Sequence, residues 1–281
     1  MKLKDYKADF IATLTPLYDA AEAARFFTIA LEKLKGWGRA DLAINPDAVI
    51  TPAEVKEWDK VVKDLAEYRP IQYIFGEAYF YGLTIKVDEN TLIPRPETEE
   101  LAEWVISENK SKGKLNILDV GTGSGCIAVV LAKNIPDAVV HAIDVSPGAL
   151  AVAKQNAAAN NTNITFWEQD IVTTTRLPQQ FDIIVSNPPY VRELEKVEIK
   201  SNVLDYEPHL ALFVADNDPL LFYRKIALLA QKSLIDGGAL YFEINQYLGN
   251  ETVIMLQEFN YREVTLKKDI FGNDRMVKAI K

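Results

Sequence analysis

The sequence predicts an α/β protein: a parallel sheet flanked by helices, preceded by a small helical domain and a β-hairpin linker. Three observations predict it. Short apolar runs alternate with helical stripes from about residue 115 onward. A glycine-rich loop, Gly121-Thr122-Gly123-Ser124-Gly125, joins one such run to the helix after it. A second run, Phe181 to Ser186, stops at Asn187-Pro188-Pro189-Tyr190, because proline has no N–H for a sheet ladder.

The first region, residues 1–68, reads as helical throughout. Thr15-Pro16 opens a run with Leu17, Ala20, Ala21, Ala24, Phe27 and Leu31 near helical spacing, and Gly36 and Gly38 stop it. Thr51-Pro52-Ala53-Glu54 reads as a capping box with proline at the first helical position. Val55, Trp58, Val61, Val62 and Leu65 follow as one apolar stripe, the core face of a small bundle.

Residues 69–95 form the linker. Tyr79-Phe80-Tyr81 and Leu83 to Val87 flank Gly82 and read as a hairpin. Pro94 and Pro96 force an extended entry, and Glu97, Glu99 and Glu100 favour a helix N-terminus there. Residues 96–281 carry the sheet. Strands are expected at 115–120, 139–144, 164–167, 181–186 and 240–244. Helices are expected at 127–133, 147–160, 220–233 and 247–259, with a final pair of strands closing the chain.

Composition narrows the function. The chain is acidic, with a formal net charge of −9, which argues against gripping nucleic acid through phosphates. Apolar runs are far shorter than a membrane span, and the N-terminus lacks the apolar segment of a signal peptide. One cysteine, Cys126, and two histidines, His141 and His209, leave too few ligands for a zinc site and none for an intramolecular disulfide. A cytoplasmic location follows as the default.

Glycines 121, 123 and 125 let the backbone turn tightly and approach a ligand. A dinucleotide fingerprint needs glycine or alanine at 126, where Cys126 stands. A cofactor without a pyrophosphate suits the loop better, and S-adenosylmethionine is the candidate. Asp144 ends the next strand, where it either accepts from ribose hydroxyls or caps the helix near Ser146-Pro147. Asp170 ends the third strand, as an acceptor for an adenine amino group or as an ordinary polar strand end. Asn187 to Tyr190 offer an amide, a proline carbonyl and an aromatic face at a strand's C-terminal edge, where ligands of open α/β sheets bind. Such a set can grip a planar group bearing an amino nitrogen.

Taken in order, these features resemble the class I S-adenosylmethionine-dependent methyltransferases, with their Rossmann-like sheet. The closer resemblance is to the HemK/PrmC family, the protein-(glutamine-N5) methyltransferases of peptide chain release factors. It extends over nearly the whole chain. It rests on Arg69 to Gly76, Leu92 to Glu99, Ile117 to Ala128, Val185 to Val191, Tyr206-Glu207-Pro208 with Ala211-Leu212, and Asp274-Arg275. The resemblance implies that Gly121, Thr122, Gly123, Ser124 and Gly125 cradle the methionine part of the cofactor and that Asp144 holds its ribose. Asp170 and Ile171 would border the adenine. Some members carry an aromatic residue where this chain has Ile171, so apolar packing replaces stacking.

Asn187, Pro188, Pro189 and Tyr190 would bind the glutamine, with Asn187 also near the cofactor. Asn187, Pro188 and Tyr190 would be catalytic: two acceptors for the amide hydrogens and a ring packed on the flat amide. Arg95, Glu97 and Glu99 either order the entrance or pin the helix after Pro96, and His209 is structural. The implied partner is a release factor, docked by the helical domain, with the enzyme a monomer that makes no direct nucleic-acid or membrane contact. The rival reading is an amino methyltransferase acting on adenine in DNA, since those enzymes use a similar tetrapeptide and flip the base. The acidic charge, the short chain and the lack of a target-recognition domain count against it.

Overall fold

Five helices come first: α1 (Leu3–Leu14), α2 (Ala20–Lys35), α3 (Arg39–Ile44), α4 (Pro52–Ala66) and α5 (Ile71–Phe75). They belong to a computed structural model that describes residues 1–281. Leu3, Tyr6, Phe10 and Leu14 line the buried face of α1 at helical spacing. The expected opening of the second helix at Thr15-Pro16 is corrected. Thr15 instead closes α1, its hydroxyl donating to the Ile11 carbonyl at 2.7 Å. Asp19 caps α2 by accepting from the Glu22 N–H at 2.7 Å. The inward face of α2 is accordingly Ala23, Phe27, Ala30 and Leu31. The capping box of α4 forms as expected, with Thr51 and Glu54 bonded reciprocally. Trp58, Val61 and Leu65 then point inward, and the Trp58 ring meets Tyr6, Phe10 and Phe27.

One compact unit comprises Met1–Gly76 with Ser201–Tyr206, and the other Glu77–Lys200 with Glu207–Lys281. The second opens with the hairpin β1 (Glu77–Phe80) and β2 (Leu83–Lys86). Its turn residues Tyr81 and Gly82 both have positive φ, 50° and 75°, as a two-residue hairpin turn of this hand requires. Helix α6 (Pro96–Asn109), strand β3 (Asn116–Val120), helix α7 (Cys126–Asn134) and strand β4 (Val139–Asp144) follow. Then come α8 (Pro147–Ala159), β5 (Ile164–Glu168) and β6 (Phe181–Ser186). The stretch read only as a loop contains β7 (Val191–Arg192), a 3-10 turn at Glu193–Glu198, α9 (Ser201–Leu204), α10 (His209–Leu212) and β8 (Phe213–Val214). The chain ends with α11 (Leu221–Ser233), β9 (Leu234–Glu243), α12 (Gly249–Glu258), β10 (Arg262–Lys268) and β11 (Asp274–Ile280).

The main sheet has seven strands in the order β10-β11-β9-β6-β3-β4-β5. The strands from β9 to β5 run parallel, but β11 pairs antiparallel with both β9 and β10. The expected parallel sheet is therefore a mixed one, because a tight turn rather than a helix joins the last two strands. Strand β9 also starts earlier than expected. Gly237-Gly238 looks like a break in sequence, yet a side chain on Gly238 would sit 3.0 Å from the Ile235 carbonyl oxygen and 3.1 Å from that of Asp182. Glycine is what lets β9 approach β6 there.

Register brings the functional segments together. Val120 pairs with Ile143 and Ser186, and Ser186 pairs with Phe242. Gly121, Asp144, Asn187 and Glu243 thus all lie on one sheet edge, at or just past their strand ends. Beneath that edge, Leu118, Val120, Ile184, Leu240 and Phe242 form the core with Tyr223 and Ile226 of α11. No helix is long and apolar enough to cross a membrane.

Trp58 is fully buried and its indole N–H has no hydrogen-bond partner, so its contribution is packing alone. Trp58→Ala is expected to destabilise the helical unit by about 3–5 kcal/mol, and Trp58→Phe by less than about 1.5 kcal/mol. Urea denaturation followed by circular dichroism checks both values.

Candidate active site

A cavity of about 520 Å³ lies along the edge where those strand ends meet. Gly121 to Ser124, Asp144, Asp170, Ile171 and Asn187 to Pro189 all line it. Of the residues expected to bind cofactor or substrate, Gly125 and Tyr190 do not.

The glycine loop has φ of 71°, 53° and 79° at Gly121, Gly123 and Gly125, a region that costs any other residue strain. A side chain at Gly121 or Gly123 would meet no protein atom within 4 Å. At Gly125 it would sit 3.0 Å from the Ala153 methyl, so that glycine serves helix packing rather than the ligand. The loop is held from behind. Gly121 and Thr122 N–H groups donate to the Ile143 carbonyl at 2.9 and 3.0 Å. Thr122 Oγ1 donates to Asp119 at 2.6 Å. Asp119 is fully buried, and burial pushes its carboxyl up to about 7 against the Thr122 bond, which favours the charged form.

Asp144 accepts from the Gly123 N–H at 2.8 Å through Oδ2 and from the Ser146 N–H at 2.9 Å through Oδ1. Ser146 is itself the cap of α8, accepting from the Ala149 N–H at 3.2 Å. Asp144 is therefore no helix cap. It ties the glycine loop to the helix entry, and each oxygen keeps acceptor capacity on the cavity wall. Burial raises its carboxyl pKa.

Asp170 lies past the end of β5 rather than at it, since the strand stops at Glu168. Its carboxylate accepts from the Val172 N–H at 2.8 Å and the Thr173 hydroxyl at 3.1 Å, an Asx-type turn that shapes the loop. Ile171 beside it packs against the core and faces the cavity. Cys126 also lines the cavity, but burial pushes its thiol up to about 12, so it is no nucleophile. His209 packs edge-on against Phe213, and His141 stacks on Trp167 away from the cavity wall.

At the far end, Asn187 Nδ2 donates to Thr98 Oγ1 at 3.1 Å, and Thr98 Oγ1 donates to Glu243 Oε2 at 2.6 Å. Tyr190 OH donates to Glu243 Oε1 at 2.9 Å. The Tyr190 ring rests half-buried on the core, so Tyr190 anchors the end of the loop and Asn187 to Pro189 form the wall. Asn245 Nδ2 donates to the Tyr190 carbonyl at 3.0 Å and fixes the loop from outside. Arg95 and Ile93 reach Glu207 at 2.6 and 3.0 Å, joining two segments of the cavity rim. Glu99 instead holds the hairpin turn, accepting from the Tyr81 N–H at 2.9 Å.

Thr98, Glu243, Asn245 and Glu207 were not identified as site residues from sequence. Glu243 did leave a signal: it is the lone carboxylate in the apolar run Leu240 to Ile244, and a buried charge must be paired. Thr98 left none, since one threonine in an acidic helix start reads as surface.

A class I methyltransferase fold accounts for the sheet and for the glycine loop at its edge. Solved structures share it. A methyltransferase from Pyrococcus furiosus aligns with a TM-score of 0.52 at 19% identity, covering 80% of this chain and 98% of that one. A 16S rRNA N2 methyltransferase from T. thermophilus, in complex with AdoMet and guanosine, aligns at 0.54 and 17% identity, over 73% of this chain and 49% of that one. Family models match as "Methyltransferase small domain" over residues 101–207 and "PrmC N-terminal domain" over residues 12–76. The release factor glutamine methyltransferase of Flavobacterium psychrophilum is 57% identical over 99% of both chains. That of Bacteroides thetaiotaomicron is 44% identical over 95% of this chain and 96% of its own. The chain belongs to the HemK/PrmC family of S-adenosylmethionine-dependent protein methyltransferases.

Asp119 makes the fold pH-sensitive in a defined direction. Its carboxyl titrates higher folded than unfolded, so its contribution is fully present below about pH 4 and is lost as pH rises through about 7. Asp119→Asn, which mimics the protonated form, should melt near the wild type at pH 4 and above it at pH 8. Thermal melts at the two values check this, and an equal gap at both contradicts it.

Proposed function

We propose that the protein transfers a methyl group from S-adenosylmethionine to the side-chain amide nitrogen of the glutamine in the Gly-Gly-Gln motif of peptide chain release factors. The observation that carries this reading is one cavity with two chemically different ends. Glycine loop, Asp144 and Ile171 line one end, and the Asn187 to Pro189 wall forms the other. Relatives 57% and 44% identical over almost the whole chain, both named release factor glutamine methyltransferase, support it.

The residues fit the cofactor. Gly121 and Gly123 leave open space where a side chain would stand, and Asp144 keeps acceptor capacity for ribose hydroxyls. Ile171 offers an apolar surface for the adenine, and Asp170, committed to its own turn, shapes that border. When bound, S-adenosylmethionine supplies a methyl group activated by the positive charge on its sulfur.

The chain's own residues then have one main task, alignment. An amide nitrogen is a poor nucleophile because its lone pair is delocalised into the carbonyl. Asn187 Oδ1 and the Pro188 carbonyl accept the two amide hydrogens and hold the nitrogen in line. Orientation of this kind can lower a barrier by about 7–11 kcal/mol. No base is needed at the start, because the nitrogen becomes far more acidic once methylated and releases its proton afterwards. Pro188 and Pro189 keep the wall stiff, and Tyr190 anchors it.

The helical unit docks the release factor, and its match to the PrmC N-terminal domain supports that division of labour. The reading places the enzyme in the cytoplasm as a monomer. The DNA alternative is not favoured, since the relatives act in name on release factors and the chain carries a net charge of −9.

Label from methyl-labelled cofactor should reach a purified release factor and should not reach a variant with alanine at the motif glutamine. Label on neither protein, or on both, contradicts the reading. Asn187→Ala should lower turnover by roughly 10²–10³-fold while cofactor affinity, measured by titration calorimetry, falls by less than about tenfold.

A further inference from the structure

We infer that Thr98 and Glu243 are positioning residues that set which end of the Asn187 amide faces the substrate. This rests on the methyl-transfer reading above.

Hydrogen-bond direction carries the argument. A carboxylate only accepts. Glu243 is 1% exposed, and the two donors on its oxygens are the hydroxyls of Thr98, at 2.6 Å, and Tyr190, at 2.9 Å. The first distance lies in the range of a hydroxyl bonded to an ionised carboxylate. A threonine hydroxyl has one proton, and here it is spent on Glu243. Toward Asn187 the Thr98 oxygen can therefore only accept. It lies 3.1 Å from the Asn187 side chain, so the group facing it must be the amide NH2. Oδ1 is then left on the other side, in a residue that lines the cavity.

The buried carboxylate thus acts two bonds away. It orients an amide, which could turn either its NH2 or its oxygen to Thr98, so that the NH2 faces Thr98 and Oδ1 faces away from it. An acceptor suits a substrate nitrogen that bears hydrogens, and it repels a substrate oxygen that bears lone pairs. Glu243 also holds Tyr190, so both ends of the Asn187 to Tyr190 loop depend on one group. Because α6 carries Thr98 and β9 carries Glu243, the orientation is built into the two rigid elements flanking the loop.

The test uses the full-length enzyme with a release factor as methyl acceptor. Thr98→Val keeps the shape and removes the hydroxyl, Thr98→Ser restores it, and Glu243→Gln keeps the shape and adds a donor. Wild-type transfer is measured first, and its absence would refute the methyl-transfer reading rather than this one. With wild type active, Thr98→Val is expected to lower kcat roughly 10²-fold. Cofactor affinity and release-factor KM should stay near wild type, while melting temperature should fall, since Glu243 loses one of its two donors. Thr98→Ser should recover most of the rate. Glu243→Gln should cost about tenfold or more, because the amide orientation becomes mixed. The double variant Thr98→Val with Glu243→Gln should be no slower than Thr98→Val alone, since the chain of bonds is already broken. Unchanged kcat in Thr98→Val, fully additive losses in the double variant, or a release-factor KM that rises as much as kcat falls would overturn the inference.

Discussion

A single buried carboxylate imposes order on the Asn187 end of the candidate site. Glu243 sits at the end of β9 beneath the sheet edge, where an unpaired charge would be costly. The structure resolves that cost with hydroxyls from two other segments, Thr98 on α6 and Tyr190 on the loop after β6. Arg275 adds a favourable charge nearby, while burial still raises the carboxyl pKa. Three pieces of chain far apart in sequence are thereby pinned to one point. The loop proposed to hold a substrate amide is among them.

The rest of the site follows from where parallel strands end. Each of β3, β4 and β6 stops on the same edge for its own reason. Gly121 turns the chain after β3, Asp144 bridges to the helix after β4, and two prolines end β6. Register through Val120, Ile143 and Ser186 places these ends side by side. The cavity is the gap that results, and its two ends differ because the three stopping devices differ. Glycines leave space for a ligand, whereas prolines leave a stiff wall with an unpaired carbonyl. The proposed cofactor and acceptor ends thus differ from the way each strand is stopped.

Much of this was legible in the sequence, and the exceptions share a cause. Strands 139–144 and 181–186 carry complete local signals, an apolar run and a stop, and they appear at those bounds. The capping box at Thr51 is equally local and forms as written. The start of α2 was misread because Pro16 is a strong N-terminal signal, whereas Thr15 was already committed to α1. The early start of β9 was hidden by Gly237-Gly238, which breaks a pattern in sequence but permits close packing in space. Of the cavity lining, Gly121, Gly123, Asp144 and Asn187 could be expected from sequence because each sits next to a strand end. Thr98 and Glu243 were not, since their value lies in a bond across 145 residues of sequence. Tyr190 was read as a flat surface for the substrate. Its hydroxyl bond to Glu243 depends on a strand that no local pattern connects to it.

The central claim is that the site presents acceptors to a nitrogen rather than merely holding any nucleophile in line. Replacing the motif glutamine of a release factor by glutamate tests it most directly. The carboxylate oxygen is intrinsically the better nucleophile, so a site that only aligned its substrate would methylate glutamate at least as fast. With Asn187 Oδ1 and the Pro188 carbonyl facing the substrate, the carboxylate should be repelled. The expected result is methylated glutamine at the side-chain nitrogen and no methyl ester on the glutamate variant, read by mass spectrometry of the motif peptide. A methyl ester formed at a comparable rate would contradict the account.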